Sequence, residues 1–551
     1  MQRTRKRWSL PALLLTLAML AAACGSDDDS STGTDDTTGG STTDSSVEEG
    51  EAAPMTGGTI SNGIIEPTFI DSYNVQDSEG FVAARLIFDG LTDLNEGLEA
   101  VPAVASEWTT EDNITWEFTL RDDVTFHNGD PVTAQSFVDA FNRVANPNNV
   151  SDVAYYGSVI TGIQGWAEVE AGEATEVTGA VAVDDTHLTI TLTGPYPLLP
   201  KAMAHPVFSP VDLAAVEAGG DSYGDAPVGN GPYMMNGPWE HDVQISVVRY
   251  DGYYGDPGLA DQIDFKIYDS IETMYLEAQA GSVDIAEVPP ENIATAETDF
   301  PGRFVQLASG SYNYLGLPID QAPYDNPDIR KALAMAIDRD TIAEQIFSGG
   351  RAPADRFVPP LAPGAGEACG NLTYDPDAAK AMFDAAGGIP GGKVTIYFNS
   401  GGGHEQWVQA VANGWQQTFG IESEFVAQEF APYLDQLQAG DVDGPFRLGW
   451  QWDLPSAENF LSPLFLTGAT DNHSHYGNPD FDAAIEAFKL APSEEEGYPS
   501  LATAQDIVCE DMPVIPMFFG NEQRVYTEAV DNVQLSVFGY VVLEDVEAVG
   551  Q

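Results

Sequence analysis

Apolar and polar positions alternate along several short stretches of this chain, and between those stretches apolar residues recur at helical spacing. Ile114, Trp116, Phe118 and Leu120 are separated by Thr115, Glu117 and Thr119, the period of two that belongs to a half-buried strand. Leu188, Ile190 and Leu192 repeat the pattern, and Ile245 to Tyr250 gives another strand. After the turn-forming Asn128-Gly129-Asp130-Pro131, Thr133 stands where an N-cap is needed, ahead of Phe137, Ala140, Phe141 and Val144 on one helical face. Asn326 caps a helix with Pro327 at its first position, Asp328 in its first turn, and Ile329, Ala332, Leu333, Ala336 and Ile337 inward. Thr341 and Glu344 are spaced as a capping box for the next helix. Asp375-Pro376 starts another, with Met382 and Phe383 inward and Gly387-Gly388 as its stop. Strands and helices therefore interleave, and the expected class is mixed α/β.

The first 56 residues break this pattern. Arg3, Arg5, Lys6 and Arg7 precede an apolar run from Leu10 to Ala23, which is shorter than the roughly 20 apolar residues of a spanning helix and is expected to be a secretory signal. Leu20-Ala21-Ala22-Ala23-Cys24 is similar to the bacterial lipobox, with Ala21 where that motif usually has Leu. The resemblance implies lipidation of Cys24, and more than one acyl chain there gives stable anchoring. Residues 25–56 are Ser, Thr, Gly, Asp and Glu with almost nothing apolar, the composition of a disordered acidic tether.

Charge narrows the partners. The chain carries 86 acidic and 21 basic residues, net −65; removal of the leader's four cations leaves −69. Nucleic acid needs a basic footprint that this chain lacks, and anionic lipid headgroups are equally poor partners, so contact with a membrane is expected through the lipid anchor only. With Cys24 assigned to lipid, Cys369 and Cys509 are an even pair in an exported chain and are expected to be bridged. About 500 ordered residues exceed one core and call for two or more lobes.

Catalytic and metal motifs fail on context. Gly220-Asp221-Ser222-Tyr223-Gly224 matches a nucleophile elbow, which must follow a strand and open a helix, but Val211 to Ala218 reads as helix. Gly391-Gly392-Lys393 lacks the phosphate-loop spacing. His473 and His475 have no acidic or cysteine ligand at metal-site spacing, so neither a metal nor a cofactor is expected.

Several ordered words carry a family resemblance. They are Phe88-Asp89-Gly90-Leu91-Thr92, Val101-Pro102-Ala103-Val104-Ala105-Ser106-Glu107-Trp108, Val124-Thr125-Phe126-His127-Asn128-Gly129, Gly229-Asn230-Gly231-Pro232-Tyr233 and Asp328-Ile329-Arg330-Lys331-Ala332-Leu333. In this order they resemble family 5 extracellular solute-binding proteins, the peptide, dipeptide and nickel binders of ABC importers. The resemblance implies a two-lobed periplasmic-binding-protein-like fold (type II, cluster C) with an additional inserted domain. Lobe 1 would comprise residues 57–88, 200–311 and 514–551, the inserted domain 89–199, and lobe 2 312–513, with the lobes closing on ligand about a hinge.

It also implies the site. In Arg447-Leu448-Gly449-Trp450-Gln451-Trp452-Asp453, Asp453 falls where peptide binders pair a carboxylate with the ligand's α-ammonium, and Arg447 where some relatives meet a peptide carboxylate. Trp450, with Trp452 and Gly449 in the same word, would form a cleft wall, and Gln76, Ser78 and Tyr156 lie where relatives line the cleft. The implied function is an extracytoplasmic, lipid-anchored, monomeric binder that delivers peptides to an ABC permease and is not an enzyme. The alternatives are a nickel chelate, haem, glutathione or an oligosaccharide in the same fold, a secreted hydrolase, or a sensor or adhesin serving no importer.

Overall fold

The computed structural model of the protein describes residues 57–549 apart from 76, 152, 401 and 402. The leader, Cys24, the tether and Gln76 lie outside the described residues.

Two strands of thirteen residues, Phe304–Gly316 and Val514–Tyr526, run antiparallel through the middle of an eleven-stranded sheet. At about 3.3 Å per residue each is some 40 Å long, enough to serve two layers of structure in turn. Towards Phe304 their neighbours are Ile285–Glu287 and then Thr59–Ile64, Gln262–Ile267, Gln244–Arg249 and Tyr233–Met235. Towards Gly316 the neighbours change to Phe446–Gln451, Lys393–Asn399 and Glu422–Gln428. The register between the long strands shifts between Ala308 and Tyr312, so Ser309, Gly310 and Ser311 are an irregularity at the point where the partners change. Glycine is required there: a Cβ on Gly310 would lie 2.1 Å from the Trp452 indole, which rests on the strand.

The alternation in the 114–120 stretch produces the strand Thr115–Leu120, whose Trp116, Phe118 and Leu120 are buried. It pairs antiparallel with Ala105–Thr110 and His187–Thr191, and Ala180–Asp184 completes a separate four-stranded sheet. Helix Ala134–Ala145 covers that sheet through Phe137, Phe141 and Val144, with Thr133 and Ser136 making a capping box. This layer is tied to the C-terminal half by a buried ion pair, Lys201 Nζ to Glu494 Oε2 at 2.6 Å, and by the Asn113 amide donating to the Ala491 carbonyl at 2.9 Å.

Asn326 caps helix Pro327–Met335 by accepting from the Asp328 amide, and Asp375 caps Pro376–Ala385. One cap differs from expectation. Helix Arg339–Phe347 begins two residues before Thr341, and its cap is Asp338, whose carboxylate accepts both the amide and the hydroxyl of Thr341; a carboxylate at the cap outcompetes a hydroxyl because it meets two donors and the positive helix end together. Cys369 and Cys509 are joined by a disulfide with their Cα atoms 5.5 Å apart. Ser222 is exposed in a 3-10 turn that follows helix Leu213–Gly219, so no strand precedes it. Among the described residues no helix is long and apolar enough to cross a membrane and no group of three His, Cys, Asp or Glu could hold a metal.

Candidate functional site

Where the two long strands change partners, the surface opens into cavities. One of about 290 Å3 is lined by residues from widely separated segments: Asp77, Ser78, Glu79 and Phe81 at the start of helix Ser78–Ile87, then Tyr156, His205, Trp452, Asp453, Phe538 and Tyr540. Asp77 caps the helix by accepting from the Gly80 amide at 2.7 Å, which fixes the direction in which Ser78, Glu79 and Phe81 leave the backbone.

Asp453 sits two residues past the strand Phe446–Gln451, at the mouth of this cavity. Its amide donates to Asn459 Oδ1 at 2.8 Å and its Oδ1 accepts from the Tyr156 hydroxyl at 2.5 Å. Burial pushes the Asp453 carboxyl up to about 6, with Asp471 adding to the rise and the Tyr156 and Asn459 hydrogen bonds opposing it. Among the described residues no cation pairs with it. A half-buried carboxylate held by neutral donors is short of positive charge, and an ammonium in the cavity would supply it.

The rings around the cavity form a closed chain. Tyr156 lies 4.5 Å from His205, His205 5.2 Å from Phe81, Phe81 5.9 Å from Tyr540, Tyr540 6.2 Å from Phe538, and Phe538 5.5 Å from Trp452, all centroid to centroid. Trp452 is followed by Asp453, whose bond to Tyr156 completes the circuit. Burial, with Arg85 nearby, holds the His205 imidazole down to about 3, so it presents a neutral face.

Of the residues singled out from sequence, Ser78, Tyr156, Trp452 and Asp453 meet at this one cavity. Trp450, expected as a cleft wall, is half-buried against the large core with its indole N–H 3.4 Å from Asn459 Oδ1; Trp452, one residue past the end of the strand, is the tryptophan that lines this cavity. Gly449 lies beside Arg447 and under the Tyr312 carbonyl, 3.1 Å from where its Cβ would be. Arg447 donates to Asn399 Oδ1 at 2.9 Å and Asn313 Oδ1 at 2.8 Å, and its buried Nε has no partner. Burial, then the Arg351 charge, brings it down to about 10. Arg351 borders a second cavity of about 350 Å3, with Glu287, Glu522 and Gln406. Phe81, His205, Phe538 and Tyr540 escaped the sequence reading. Helical or strand periodicity marks a buried aromatic but not which cavity it faces, and these four come from three segments more than a hundred residues apart.

Two long strands shared by two groups of partner strands, with an aromatic-walled cavity and a half-buried carboxylate beside their irregularity, belong to a two-lobed periplasmic-binding-protein-like fold. The family follows from the sequence: residues 99–472 match the bacterial extracellular solute-binding proteins, family 5 Middle, and the chain belongs to that family. It is 28% identical over 497 residues to the oligopeptide-binding protein OppA of Bacillus subtilis, covering 86% of this chain and 90% of that one. Its fold is similar to that of the Escherichia coli murein tripeptide binding protein MppA, with TM-score 0.74, 26% identity and coverage of 91% and 99%. It is also similar to Haemophilus influenzae OppA in complex with RPPGFSPFR, with TM-score 0.72, 25% identity and coverage of 90% and 99%.

Proposed function

We propose that this protein captures peptides between two lobes and delivers them to an ABC permease, with Asp453 as the anchor for the ligand's α-ammonium. The lobes are 57–88, 200–311 and 514–551 on one side and 312–513 on the other, with 89–199 inserted in the first. The observation that carries the reading is the half-buried Asp453 carboxylate, bonded to the Tyr156 hydroxyl and without an ion pair among the described residues, at a cavity lined by widely separated segments of the chain. Arg447, guanidinium Nε unpaired six residues before it, would meet the peptide's carboxylate, and strand-like hydrogen bonding would hold the main chain between them. The peptide names carried by the relatives agree with this ligand class. Incubation with peptides should return them uncut. Native mass spectrometry of the protein as purified should find a retained peptide, and a retained non-peptide ligand would overturn the reading.

The pH dependence of binding follows from Asp453. Its native carboxyl keeps a proton up to about 6, whereas in an unfolded chain it ionises near pH 4. The burial cost of the charge therefore sets in as pH rises between those values and is complete above about 6. An ammonium reverses this preference by stabilising the ionised form, so a bound peptide lowers that pKa. Affinity should be flat above pH 6 and fall below it by up to about tenfold per pH unit, with proton release seen in titration calorimetry as a buffer-dependent heat at pH 5. Affinity that is level from pH 4.5 to 7 would count against an ionised Asp453 in the complex.

The protein is proposed to be an extracytoplasmic, monomeric lipoprotein held at the membrane by Cys24. Cys24→Ser should prevent lipidation and move the protein from the membrane fraction to the medium. Equal membrane retention of the variant would sink the anchor.

A further inference from the structure

The cavity beside Asp453 holds more negative charge than one α-ammonium can compensate. Asp77 is occupied as a helix cap, its two oxygens taking the Gly80 and Thr68 amides at 2.7 Å each. Glu79, on the same rim, makes no ion pair among the described residues. Burial raises its pKa, with Asp77 and Glu287 adding to the rise and the Glu79 backbone amide and Arg524 opposing it. No lysine or arginine lines the cavity. The Arg85 guanidinium stacks on the Tyr540 ring at 5.5 Å and is neutralised by Asp93 at 3.1 Å, and Arg524 pairs with Glu287 at 3.7 Å and Glu522 at 3.6 Å.

Most of the rest of the wall is aromatic, with Val75, Ser78 and Gln451 beside the rings. Tyr156, His205, Phe81, Tyr540, Phe538 and Trp452 form the closed chain of rings described above, with Asp453 as its closing member. Ring faces carry the negative part of the aromatic quadrupole and attract cations, most strongly where water is excluded. An aliphatic side chain would gain only burial there and would leave Glu79 without a counter-charge. An acidic one would add a further carboxylate to Asp77, Glu79 and Asp453. The cavity of about 290 Å3 accommodates one long side chain together with a few waters at about 30 Å3 each.

We infer that this collar of rings with Glu79 is a specificity pocket for a cationic side chain, lysine or arginine, on the first residue of the ligand. The inference rests on Asp453 holding the α-ammonium: that anchor places the first side chain at the collar, and Glu79 and the ring faces then select its charge. Peptides with basic first residues are accordingly the preferred cargo, and those with acidic first residues are rejected.

The test uses the mature protein and three tripeptides in titration calorimetry at pH 7: Lys-Ala-Ala, norleucine-Ala-Ala, which keeps the side-chain length without the charge, and N-acetyl-norleucine-Ala-Ala. The lysine peptide should bind at least about tenfold more tightly than the norleucine peptide. Glu79→Gln, and separately Tyr540→Leu, should bring that ratio towards one. Equal affinities in the wild type, or a ratio unchanged in both variants, would overturn the pocket while leaving the anchor standing. The anchor is read apart from it by acetylation: loss of binding by the acetylated norleucine peptide keeps the Asp453 reading whatever the lysine ratio, and retained binding overturns both.

Discussion

Asp453→Asn should lower the affinity for a free-amine peptide by two to three orders of magnitude. The substitution keeps the shape of the side chain, the bond from Tyr156 and the amide contact to Asn459, but removes the carboxylate that pairs with the ligand's ammonium. Breaking one side of a buried ion pair costs about 3 to 5 kcal/mol, and each 1.4 kcal/mol is about tenfold. Acetylating the peptide's amine removes the same interaction from the other side, so wild-type protein should lose a similar amount. The two losses should not add, because the second has nothing left to break. Titration of both proteins with both peptides completes the cycle. Additive losses, or full-strength binding of the acetylated peptide to wild type, would remove Asp453 as the amine anchor and shift the weight to a non-peptide ligand.

Reduction of the Cys369–Cys509 bond should destabilise the protein by about 4 to 5 kcal/mol. The bridge closes a loop of 140 residues, and loop-closure entropy removed from the unfolded chain grows with the logarithm of that length. It joins the turn before Gly370–Leu372 to helix Glu494–Asp511, where Asn371 also donates to the Cys509 carbonyl at 3.3 Å. Denaturant titration with and without a thiol reductant measures the difference. Cys509→Ala provides the control, since its midpoint should match that of the reduced wild type and ignore the reductant. A wild-type midpoint that does not move on reduction would show that the loop is held closed by packing alone.

The sequence by itself determined the elements and the family. Thr115–Leu120, Ala134–Ala145, Pro327–Met335 and Pro376–Ala385 all form where alternation, helical spacing and caps place them, because these signals are local: each depends on a side chain meeting its own backbone or its own face of one element. The words that carried the resemblance are legible for a related reason. In Phe88-Asp89-Gly90, the Asp89 carboxylate takes the Tyr253 and Tyr254 hydroxyls at 2.8 and 2.7 Å, and a Cβ on Gly90 would lie 2.1 Å from the Met203 carbonyl. In Gly229-Asn230-Gly231, Asn230 bonds both the amide and the carbonyl of Asp89, and Cβ atoms on the glycines would lie 2.0 and 2.6 Å from the Ile87 and Leu86 carbonyls. Such joints admit few residue types, and so they spell recognisable words.

Tertiary structure decided the cavity wall. Trp450 and Trp452 belong to one word, yet only Trp452, which follows the strand's end and rests on Gly310, lines the cavity, while Trp450 is half-buried against the large core. Phe81, His205, Phe538 and Tyr540 become one collar with them through contacts spanning hundreds of residues, made by a helix start, a turn and a C-terminal segment that carry no periodicity in common. A cavity wall is chosen by which surfaces the fold leaves facing one another. That choice is non-local, and no spacing along the chain encodes it.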